Sequence, residues 1–372
     1  MPEVIDIRRA DDPRDVIHRL CELLSAGKLI GLATETQYTI CGSALSLDAA
    51  SQLRALDFAE GLELVVKSAE EARDYWTEPV HPTASKLSRR CWPGPVVLGL
   101  PLEQLGGLYS RIPEGVRNAV ATSRRTVRFR APAYPLWQEI QRLSPAPLIA
   151  LADSTTGNLR RAAGDLQQQF GDVPVVTVDD GPCRYGEFTT VVNLNGATWQ
   201  LERPGIVSET NISRLASEVY LFVCTGNTCR SPMAEALFRK LVATRLQCSD
   251  DELVDRGYTI ASAGLAAAVG APASSEAVEL LADEGIDLRE HESQPLTERL
   301  LNQADHVFTM TRQHRQAILA ERPDLQDRVR VLAEDGSDIS DPIGGPRATY
   351  VACRDEIERH LRSFVDRLVF EK

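Results

Sequence analysis

Residues 224–232 combine several side chains that can bind an anion and attack it. They read Cys224-Thr225-Gly226-Asn227-Thr228-Cys229-Arg230-Ser231-Pro232. A loop of this length can curl so that successive backbone N–H groups point inward and bind an anion. The guanidinium of Arg230 matches two oxygens of a phosphoryl group. The same positive field stabilises a thiolate at Cys224, and a thiolate beneath a phosphoryl group is a nucleophile.

The flanking sequence predicts the elements that position this loop. Five β-prone residues, 219–223, precede Cys224 and are typical of a strand buried on both faces. Ser231 is a good N-cap residue and Pro232 suits the first helical position, so we expect a helix to begin there. The positive end of that helix adds to the anion site. Gly226 lets the backbone approach a bound group closely, and the hydroxyl of Ser231 can also donate to the thiolate.

Strands and helices alternate through the rest of this half. After the strand at 219–223, predicted strands cover 258–261, 307–310 and 329–332, and predicted helices cover 275–284, 298–304, 312–321 and 350–368. Such alternation predicts a four-stranded parallel sheet with helices on both faces. Ligands of these sheets lie at the carboxyl ends of strands, where the sequence places Cys224.

At these residues the sequence resembles the low-molecular-weight protein-tyrosine-phosphatase family, whose signature is a Cys, five residues, an Arg and a Ser. The resemblance extends over 218–372 and includes the segments Ser262-Ala263-Gly264, Thr309-Met310-Thr311 and Asp341-Pro342. It implies that Cys224 is the nucleophile and Asp341 the general acid. The implied phosphate-binding residues are Arg230, Ser231 and residues 225–229. Asp335 and Asp338 are the nearby alternative acids. The implied substrate is a phosphorylated protein, with no cofactor.

Two positions bear on what the phosphate is attached to. Thr228 stands where tyrosine-directed members of the family usually have an aliphatic residue, and the loop resembles that of the protein arginine phosphatase branch. A small polar wall suits a guanidinium better than a phenol ring. The loop after Asp341 contains Ile343 and two Gly in place of aromatic side chains that stack on a tyrosine ring. The sequence therefore favours phosphoarginine over phosphotyrosine.

Cys229 lies on the same loop as Cys224 and has two interpretations. A neighbouring thiol can trap the oxidised nucleophile as a reversible disulfide. Alternatively, Cys229 only packs beneath the loop. The two cysteines have no second Cys or His pair at metal-ligand spacing, so the sequence predicts no metal site. Four histidines of this half are expected to be structural or exposed: His291, His306, His314 and His360.

The first half is similar to the threonylcarbamoyl-adenylate synthase family over residues 25–206. The matching segments are Ala33-Thr34-Glu35-Thr36-Gln37-Tyr38, Trp92-Pro93-Gly94-Pro95, Arg130-Ala131-Pro132, Thr189-Thr190-Val191-Val192-Asn193 and Arg203-Pro204-Gly205. The resemblance implies an open twisted α/β sheet around a basic cavity. Strand-like segments lie at 29–33, 96–100, 126–130, 148–151, 173–178 and 189–194. The candidate contacts for a nucleotide or another anion are Thr34, Arg130, Thr190 and Arg203, although the two arginines can equally be surface residues.

This half also departs from the family pattern. A Lys-x-Arg pair that holds nucleotide phosphates in the family corresponds to Leu56 and Phe58, and a Ser-x-Asn pair corresponds to Ala152 and Ser154. Each lost charge-assisted hydrogen bond is worth about 1.5–3 kcal/mol. We therefore expect a degenerate domain without full synthase activity, whose ligand is ATP or another nucleotide, an RNA end or a protein. The alternative is a synthase, or a nucleotide- or tRNA-binding protein, with an accessory phosphatase domain.

Length and composition agree with two globular domains. A chain of 372 residues is too long for one compact hydrophobic core, so we expect two domains, at 1–210 and 218–372. Most of the net charge of −12 lies in residues 216–372, which contain 18 Lys/Arg and 27 Asp/Glu. Binding of nucleic acid by this half is therefore electrostatically unfavourable. The Arg-rich segment 124–130 either holds an anion or forms a solvated edge strand.

No apolar run resembles a membrane span or signal peptide, and eight cysteines without a disulfide pattern favour a cytoplasmic protein.

Overall fold

A computed structural model describes residues 3–56, 61–144, 146–152 and 159–368 of the chain. Two positions of the predicted family departures, Phe58 and Ser154, lie outside the described residues. The chain divides into two compact units, Met1–Leu215 and Ala216–Lys372. Among the described helices, none has the length and apolar character needed to cross a membrane.

The described part of the first unit is built on one mixed sheet of ten strands. The strands are β1 (Glu3–Asp6), β2 (Ile30–Ala33), β3 (Tyr38–Ser43), β4 (Leu62–Val65), β5 (Val96–Pro101), β6 (Thr126–Arg130), β7 (Leu148–Leu151), β8 (Val176–Asp179), β9 (Thr190–Asn195) and β10 (Thr198–Arg203). Their order across the sheet is β1-β8-β2-β3-β7-β4-β6-β5-β9-β10. The α/β class predicted for this half is therefore confirmed.

Helices connect these strands and cover their apolar side chains. They are α1 (Pro13–Ser25), α2 (Leu47–Leu56), α3 (Ala69–Arg73), α4 (Pro82–Cys91), α5 (Glu114–Val120), α6 (Pro135–Leu143), α7 (Ala163–Phe170) and α8 (Glu209–Ala216). Helix α1 buries Ile17, Leu20 and Leu24, which lie on one face at helical spacing. Trp137 of α6 packs in the same core, and its indole N–H donates to the carbonyl of Ala33 over 2.8 Å. This bond fixes the end of β2, where the predicted segment around Thr34 begins.

Strand β6 corrects the prediction of a solvated edge strand. It lies inside the sheet, parallel to β4 and antiparallel to β5. Arg128 and Arg130 are only 5% and 2% exposed. The edge-strand prediction is wrong because neighbouring strands cover both sides of this segment.

The second unit has four parallel strands, as predicted, and their order in the sheet is β12-β11-β13-β14. The strands are β11 (Glu218–Cys224), β12 (Tyr258–Gly264), β13 (His306–Thr309) and β14 (Val329–Val331). The helices are α9 (Arg230–Leu246), α10 (Ser275–Ala282), α11 (Glu298–Gln303), α12 (Arg312–Glu321) and α13 (Arg347–Arg367). Cys224 is the last residue of the inner strand β11.

Strand β11 is buried on both faces, which explains its unbroken apolar run. Phe222 packs in one core with Phe238 of α9 and Phe308 of β13. Leu221 and Val223 belong to a second core on the opposite face. Successive side chains of a strand point to opposite faces, so each core takes alternate residues. This double anchoring fixes the strand end that carries Cys224.

Helix α9 begins two residues earlier than the sequence predicts. Arg230 is its first residue and Cys229 occupies the N-cap position, with no side-chain capping bond. Ser231 does not cap the helix because its hydroxyl turns toward Cys224. The predicted cap residue thus lies inside the first turn and serves the loop instead.

Candidate active site

The loop between β11 and α9 curls around the sulfur of Cys224. Asn227 adopts a left-handed backbone conformation with φ +55°, which Asn tolerates better than most residues. Its backbone N–H donates to Sγ of Cys224 over 3.2 Å. The Asn227 side-chain amide donates to the hydroxyls of Ser231 and Ser262 over 3.0 and 2.8 Å. These bonds hold the loop in the inward curl that the sequence predicts.

The end of β12 supports the loop from the side. Gly264 lies so close that a Cβ there would stand 2.6 Å from the carbonyl oxygen of Thr225. The two residues after Gly264 also bond the loop through their backbones. Leu265 N–H donates to the Cys224 carbonyl over 3.0 Å, and Ala266 N–H donates to the Thr225 carbonyl over 2.9 Å. The Ser262-Ala263-Gly264 segment therefore positions the loop.

Cys224 is buried, with 3% of its surface exposed. Its Sγ lies 2.9 Å from the hydroxyl of Ser231 in addition to the Asn227 N–H. Both groups can donate to a thiolate, which is the form that acts as a nucleophile. Two polar groups of the loop therefore converge on Sγ of Cys224.

Arg230 and Asp341 meet at this loop. Arg230 Nη2 donates to Asp341 Oδ2 over 2.5 Å, and Nη1 donates to the carbonyl of Ile339 over 3.3 Å. The guanidinium is buried, whereas the carboxylate is 44% exposed. The alternative acids bond elsewhere: Asp338 accepts from the backbone N–H of Arg312, and Asp335 accepts from Ser337. Asp341 is thus the carboxylate of the three that contacts Arg230.

Two histidines that the sequence analysis set aside contact the loop. His314, in the first turn of α12, places Nε2 2.9 Å from the hydroxyl of Thr225. His291 places Nε2 2.8 Å from the carbonyl of Asn227. Burial and then the charge of Arg230 lower the pKa of His314. The position of His314 just after a strand end was the available sequence signal, since such ends gather at one edge of a parallel sheet.

The buried hydrogen-bond network continues below the loop to an acidic side chain. Ser262 donates to a carboxylate oxygen of Glu235 over 2.6 Å, and Arg239 donates to the other oxygen over 2.8 Å. Glu235 and Arg239 are four residues apart on α9, a spacing that brings side chains together on a helix. Sequence reasoning missed this pair because its spacing is also typical of an ordinary surface ion pair.

Cys229 packs beneath the loop and is 5% exposed. Its thiol lies 3.3 Å from the hydroxyl of Ser274 and 3.7 Å from that of Tyr350. The carbonyl of Thr228 accepts a bond from the backbone N–H of Ser274 over 2.8 Å, which ties this side of the loop to α10. These contacts agree with the interpretation that Cys229 packs beneath the loop. A reversible disulfide between Cys229 and Cys224 stays a prediction.

In the first unit, Thr34 and Arg130 come together but Thr190 does not join them. Arg130 Nη2 donates to the hydroxyls of Thr34 and Thr36 over 3.1 and 3.0 Å. The hydroxyl of Thr36 lies 2.8 Å from that of Thr189. The hydroxyl of Thr190 instead bonds the backbone of Val207 as donor and acceptor, both over 2.9 Å. The neighbouring Thr189 therefore stands where Thr190 was predicted.

Arg203 and Arg130 are buried, so neither is a surface residue. Arg203 Nε donates to the carbonyl of Thr189 over 3.3 Å. Arg130 lies between two buried carboxylates, 3.7 Å from Glu35 and 3.6 Å from Glu63. One cation facing two anions does not suit a polyphosphate. The role of Arg130 in binding a nucleotide or another anion therefore stays a prediction.

Among the residues that the structure describes, no group of three or more His, Cys, Asp or Glu side chains is placed to hold a metal ion.

A parallel strand, an anion-binding loop with an exposed acid beside it, and a helix starting at the loop define the class of cysteine-dependent phosphatases. Residues 219–372 match the family model described as low molecular weight phosphotyrosine protein phosphatase. Residues 22–205 match the Sua5/YciO/YrdC family model, described as Telomere recombination. Both resemblances drawn from the sequence are confirmed.

Curated relatives align with the second unit over nearly their whole length. A protein-arginine-phosphatase of Bacillus subtilis (strain 168) is 42% identical over 152 residues, which are 40% of this chain and 95% of the relative. That of Geobacillus stearothermophilus is 38% identical over 41% of this chain and 97% of the relative. A probable low molecular weight protein-tyrosine-phosphatase EpsP of Ralstonia solanacearum is 36% identical over 40% of this chain and 94% of the relative. The chain belongs to the low molecular weight phosphotyrosine protein phosphatase family and is a cysteine-dependent protein phosphatase.

Proposed function

We propose that the second unit removes phosphate from protein side chains through a phosphocysteine intermediate on Cys224, and that it favours phosphoarginine over phosphotyrosine. One observation carries the proposal: two donors converge on a single sulfur, Asn227 N–H at 3.2 Å and the Ser231 hydroxyl at 2.9 Å. These donors stabilise the thiolate that attacks phosphorus. Arg230, next to Ser231 in the chain, supplies the fork that holds the phosphoryl oxygens.

The reaction takes two steps on these residues. In the first step, Sγ of Cys224 forms a bond to phosphorus while the P–N bond of phosphoarginine breaks. Asp341 donates a proton to the leaving nitrogen, and the arginine side chain departs as its guanidinium cation. In the second step, Asp341 removes a proton from a water molecule that attacks phosphorus. The S–P bond then breaks, which returns the thiolate and releases inorganic phosphate. The family needs no cofactor for this chemistry.

The preference for phosphoarginine rests on the walls of the site. Thr228 places a small polar side chain on the loop, tied through its carbonyl to Ser274. Ile343, in the loop after Asp341, is 67% exposed and is followed by two glycines. A planar, charged guanidinium needs no aromatic wall, whereas a phenol ring gains from stacking on one. The names of the Bacillus and Geobacillus relatives, both protein-arginine-phosphatases, support the same preference.

The test compares phosphoarginine and phosphotyrosine peptides of identical sequence as substrates of the purified full chain. We expect faster release of phosphate from the phosphoarginine peptide. Cys224→Ser abolishes release from both peptides, while Cys248→Ser, a partly exposed cysteine away from the loop, leaves it unchanged. Rapid quenching of the Asp341→Ala variant with substrate, followed by mass spectrometry, detects a phosphoryl group on Cys224. Turnover by Cys224→Ser would place the nucleophile elsewhere.

The family match over residues 22–205 favours a second candidate function for the first unit, binding of a nucleotide or an RNA end. In the strongest version of this candidate, the first unit is a fully active threonylcarbamoyl-adenylate synthase and the phosphatase domain is accessory. The pairing of Arg130 with Glu35 and Glu63 argues against a triphosphate there. Calorimetry of the full chain with ATP and with tRNA tests the candidate, and threonine-dependent release of pyrophosphate would support the synthase.

A further inference from the structure

The open edge of the second unit's sheet forms a groove that the phosphatase chemistry does not use. The groove has a volume of about 680 Å³ and lies along β14, between α12 and the end of α13. We call it the edge groove; its central residues are Arg315, Val329, Arg330, Val331, Phe364 and Arg367. Strand β14 is the last strand of the described sheet on this side.

The backbone of β14 presents unpaired groups to the edge groove. On its inner side, Val307 N–H donates to the carbonyl of Arg328 and Leu332 N–H donates to the carbonyl of Thr309, each over 2.9 Å. Alternate residues of a strand bond to opposite neighbours, so the backbone groups of Val329 and Val331 point outward. Arg315 Nε covers the carbonyl of Val329 over 3.0 Å. Within the described chain, the outward N–H and C=O of Val331 remain open for an added strand.

Arg330 is a preorganised cation in the edge groove. Its guanidinium lies 5.0 Å from the ring centre of Phe308 and 5.4 Å from that of Phe364. Its Nη2 also lies 2.7 Å from Nδ1 of His306. Contacts with two aromatic rings hold a guanidinium in place without neutralising it. A side chain fixed in this way loses little entropy when an anion binds to it.

The charge of the edge groove opposes the charge of its surroundings. Four arginines line it against two acids, Asp327 and Glu334, whereas residues 216–372 as a whole carry nine more acidic than basic residues. Arg367 contacts Glu334, and Arg312 pairs with Asp338 outside the groove. Within the described residues, Arg315 bonds the carbonyl of Val329 and Arg330 bonds the ring of His306 rather than a carboxylate. Their charges are therefore available to an acidic ligand.

We propose that the edge groove binds an extended acidic segment of the phosphoprotein substrate, which adds to β14 as a further strand. Its backbone bonds the outward groups of Val331, and its carboxylates meet Arg315 and Arg330. Strand addition gives affinity through the backbone and specificity through alternate side chains. An acidic peptide fits better than a nucleic acid, because the negative unit around the groove repels a long polyanion. The inference rests on the proposed function, since it assigns a docking surface for the substrate of the same site.

The test uses the full chain and two fluorescein-labelled peptides of equal length, one alternating Glu with Thr and one alternating Lys with Thr. Fluorescence anisotropy is expected to detect binding of the Glu peptide alone. Arg330→Glu is expected to weaken that binding by roughly tenfold or more, because a like charge then faces the ligand. Val331→Pro removes only the outward N–H donor, a position where strands tolerate proline, and is expected to weaken binding as well. Arg299→Glu, an exposed arginine on α11, is the matched charge control and leaves binding unchanged.

Turnover separates this inference from the proposed function. A phosphoarginine peptide extended by the Glu-Thr segment is expected to lose kcat/KM in Arg330→Glu, while an aryl phosphate without a peptide keeps its rate. Failure of the wild type to turn over the aryl phosphate would defeat the proposed function instead. Equal binding of the Glu and Lys peptides, tighter binding of a single-stranded RNA, or full binding by both Arg330→Glu and Val331→Pro would overturn the edge-groove proposal.

Discussion

Arg230 and Asp341, 111 residues apart in the chain, share a hydrogen bond of 2.5 Å between a buried guanidinium and a half-exposed carboxylate. The proposed mechanism needs the same guanidinium for phosphoryl oxygens and the same carboxylate for proton transfer. A carboxylate and a phosphate therefore compete for Arg230. We expect substrate binding to release Asp341 from Arg230, so that the freed acid reaches the leaving group.

Removal of the Asp341 carboxylate is expected to separate binding from catalysis. Asp341→Ala leaves Arg230 free, so inorganic phosphate binds more tightly, while kcat falls by roughly 10²–10⁴-fold because the leaving group lacks a proton donor. Calorimetry measures the affinity for phosphate, and a series of aryl phosphates measures kcat. The loss is expected to be largest for the poorest leaving groups. Equal losses across the series would assign the acid to another residue, and Asp338→Ala, outside this contact, is the control.

Thr228 is expected to control the choice between guanidinium and phenol. Thr228→Ile replaces the polar wall with an aliphatic one, so the ratio of kcat/KM for phosphoarginine to that for phosphotyrosine falls by roughly tenfold or more. The two peptides of identical sequence measure the ratio directly. Thr244→Ile, an exposed threonine on α9, controls for the change in surface character. An unchanged ratio in Thr228→Ile would show that the preference comes from elsewhere.

The sequence predicted the strand, loop and helix around Cys224 because their signals are local. An apolar run, a Cys-x5-Arg loop and a Ser-Pro helix start lie within fifteen residues of each other. The start of α9 differs by two residues because the hydroxyl of Ser231 bonds the loop rather than the helix end. Local patterns predict where strands and helices lie. When a side chain has two available hydrogen-bond partners, the tertiary structure decides which partner it bonds.

Contacts between distant segments could not be predicted in the same way. His314 and Thr225 are 89 residues apart, and only the strand order β11-β13 brings their ends together. Thr189, the residue before β9, bonds Thr36, which in turn accepts from Arg130, and no local pattern distinguishes Thr189 from Thr190. Strands β3 and β4 escaped prediction because Gly and polar residues interrupt their apolar pattern, although all ten of their residues are buried. Burial of a polar strand is a property of the whole sheet.

His314 is expected to make the stability of the second unit depend on pH. Its pKa lies below the ordinary value of 6.5, because burial and the charge of Arg230 disfavour the imidazolium more than Asp341 and Asp338 favour it. Below about pH 6.5 the unfolded chain therefore binds a proton that the folded chain does not, so the free energy of unfolding falls as the pH drops and the loss ends at the folded-state pKa.

His314→Gln keeps a donor near Thr225 but cannot titrate. Denaturant unfolding of wild type and variant between about pH 5 and about pH 8 is expected to give curves that differ in slope only on the acidic side. His360→Gln, on the outer part of α13, is the matched control. Parallel curves for wild type and His314→Gln over the whole range would contradict the assignment of this slope to His314.

Arg130 is expected to stabilise the first unit rather than to bind a nucleotide. Its guanidinium is 2% exposed and lies within 3.7 Å of both Glu35 and Glu63. Arg130→Leu leaves two buried carboxylates without this cation, so the free energy of unfolding is expected to fall by about 3–5 kcal/mol. Arg130→Leu combined with Glu63→Leu removes one of those carboxylates and is expected to recover part of the loss. Denaturant unfolding of the full chain, followed by tryptophan fluorescence, measures both variants.

Ligand binding discriminates this structural role from an anion site. If Arg130 is committed to Glu35 and Glu63, calorimetry of the wild type with ATP gives no heat of binding. Glu63→Gln removes one of the two opposing charges and keeps the guanidinium in place. A nucleotide site built on Arg130 would give the opposite pattern, with ATP binding in the wild type and loss of that binding in Arg130→Leu at temperatures where the variant is still folded. Glu35 follows β2 and Glu63 lies within β4, so both charges reach Arg130 of β6 only in the folded sheet. Tight binding of ATP by the wild type, lost in folded Arg130→Leu, would refute the purely structural role.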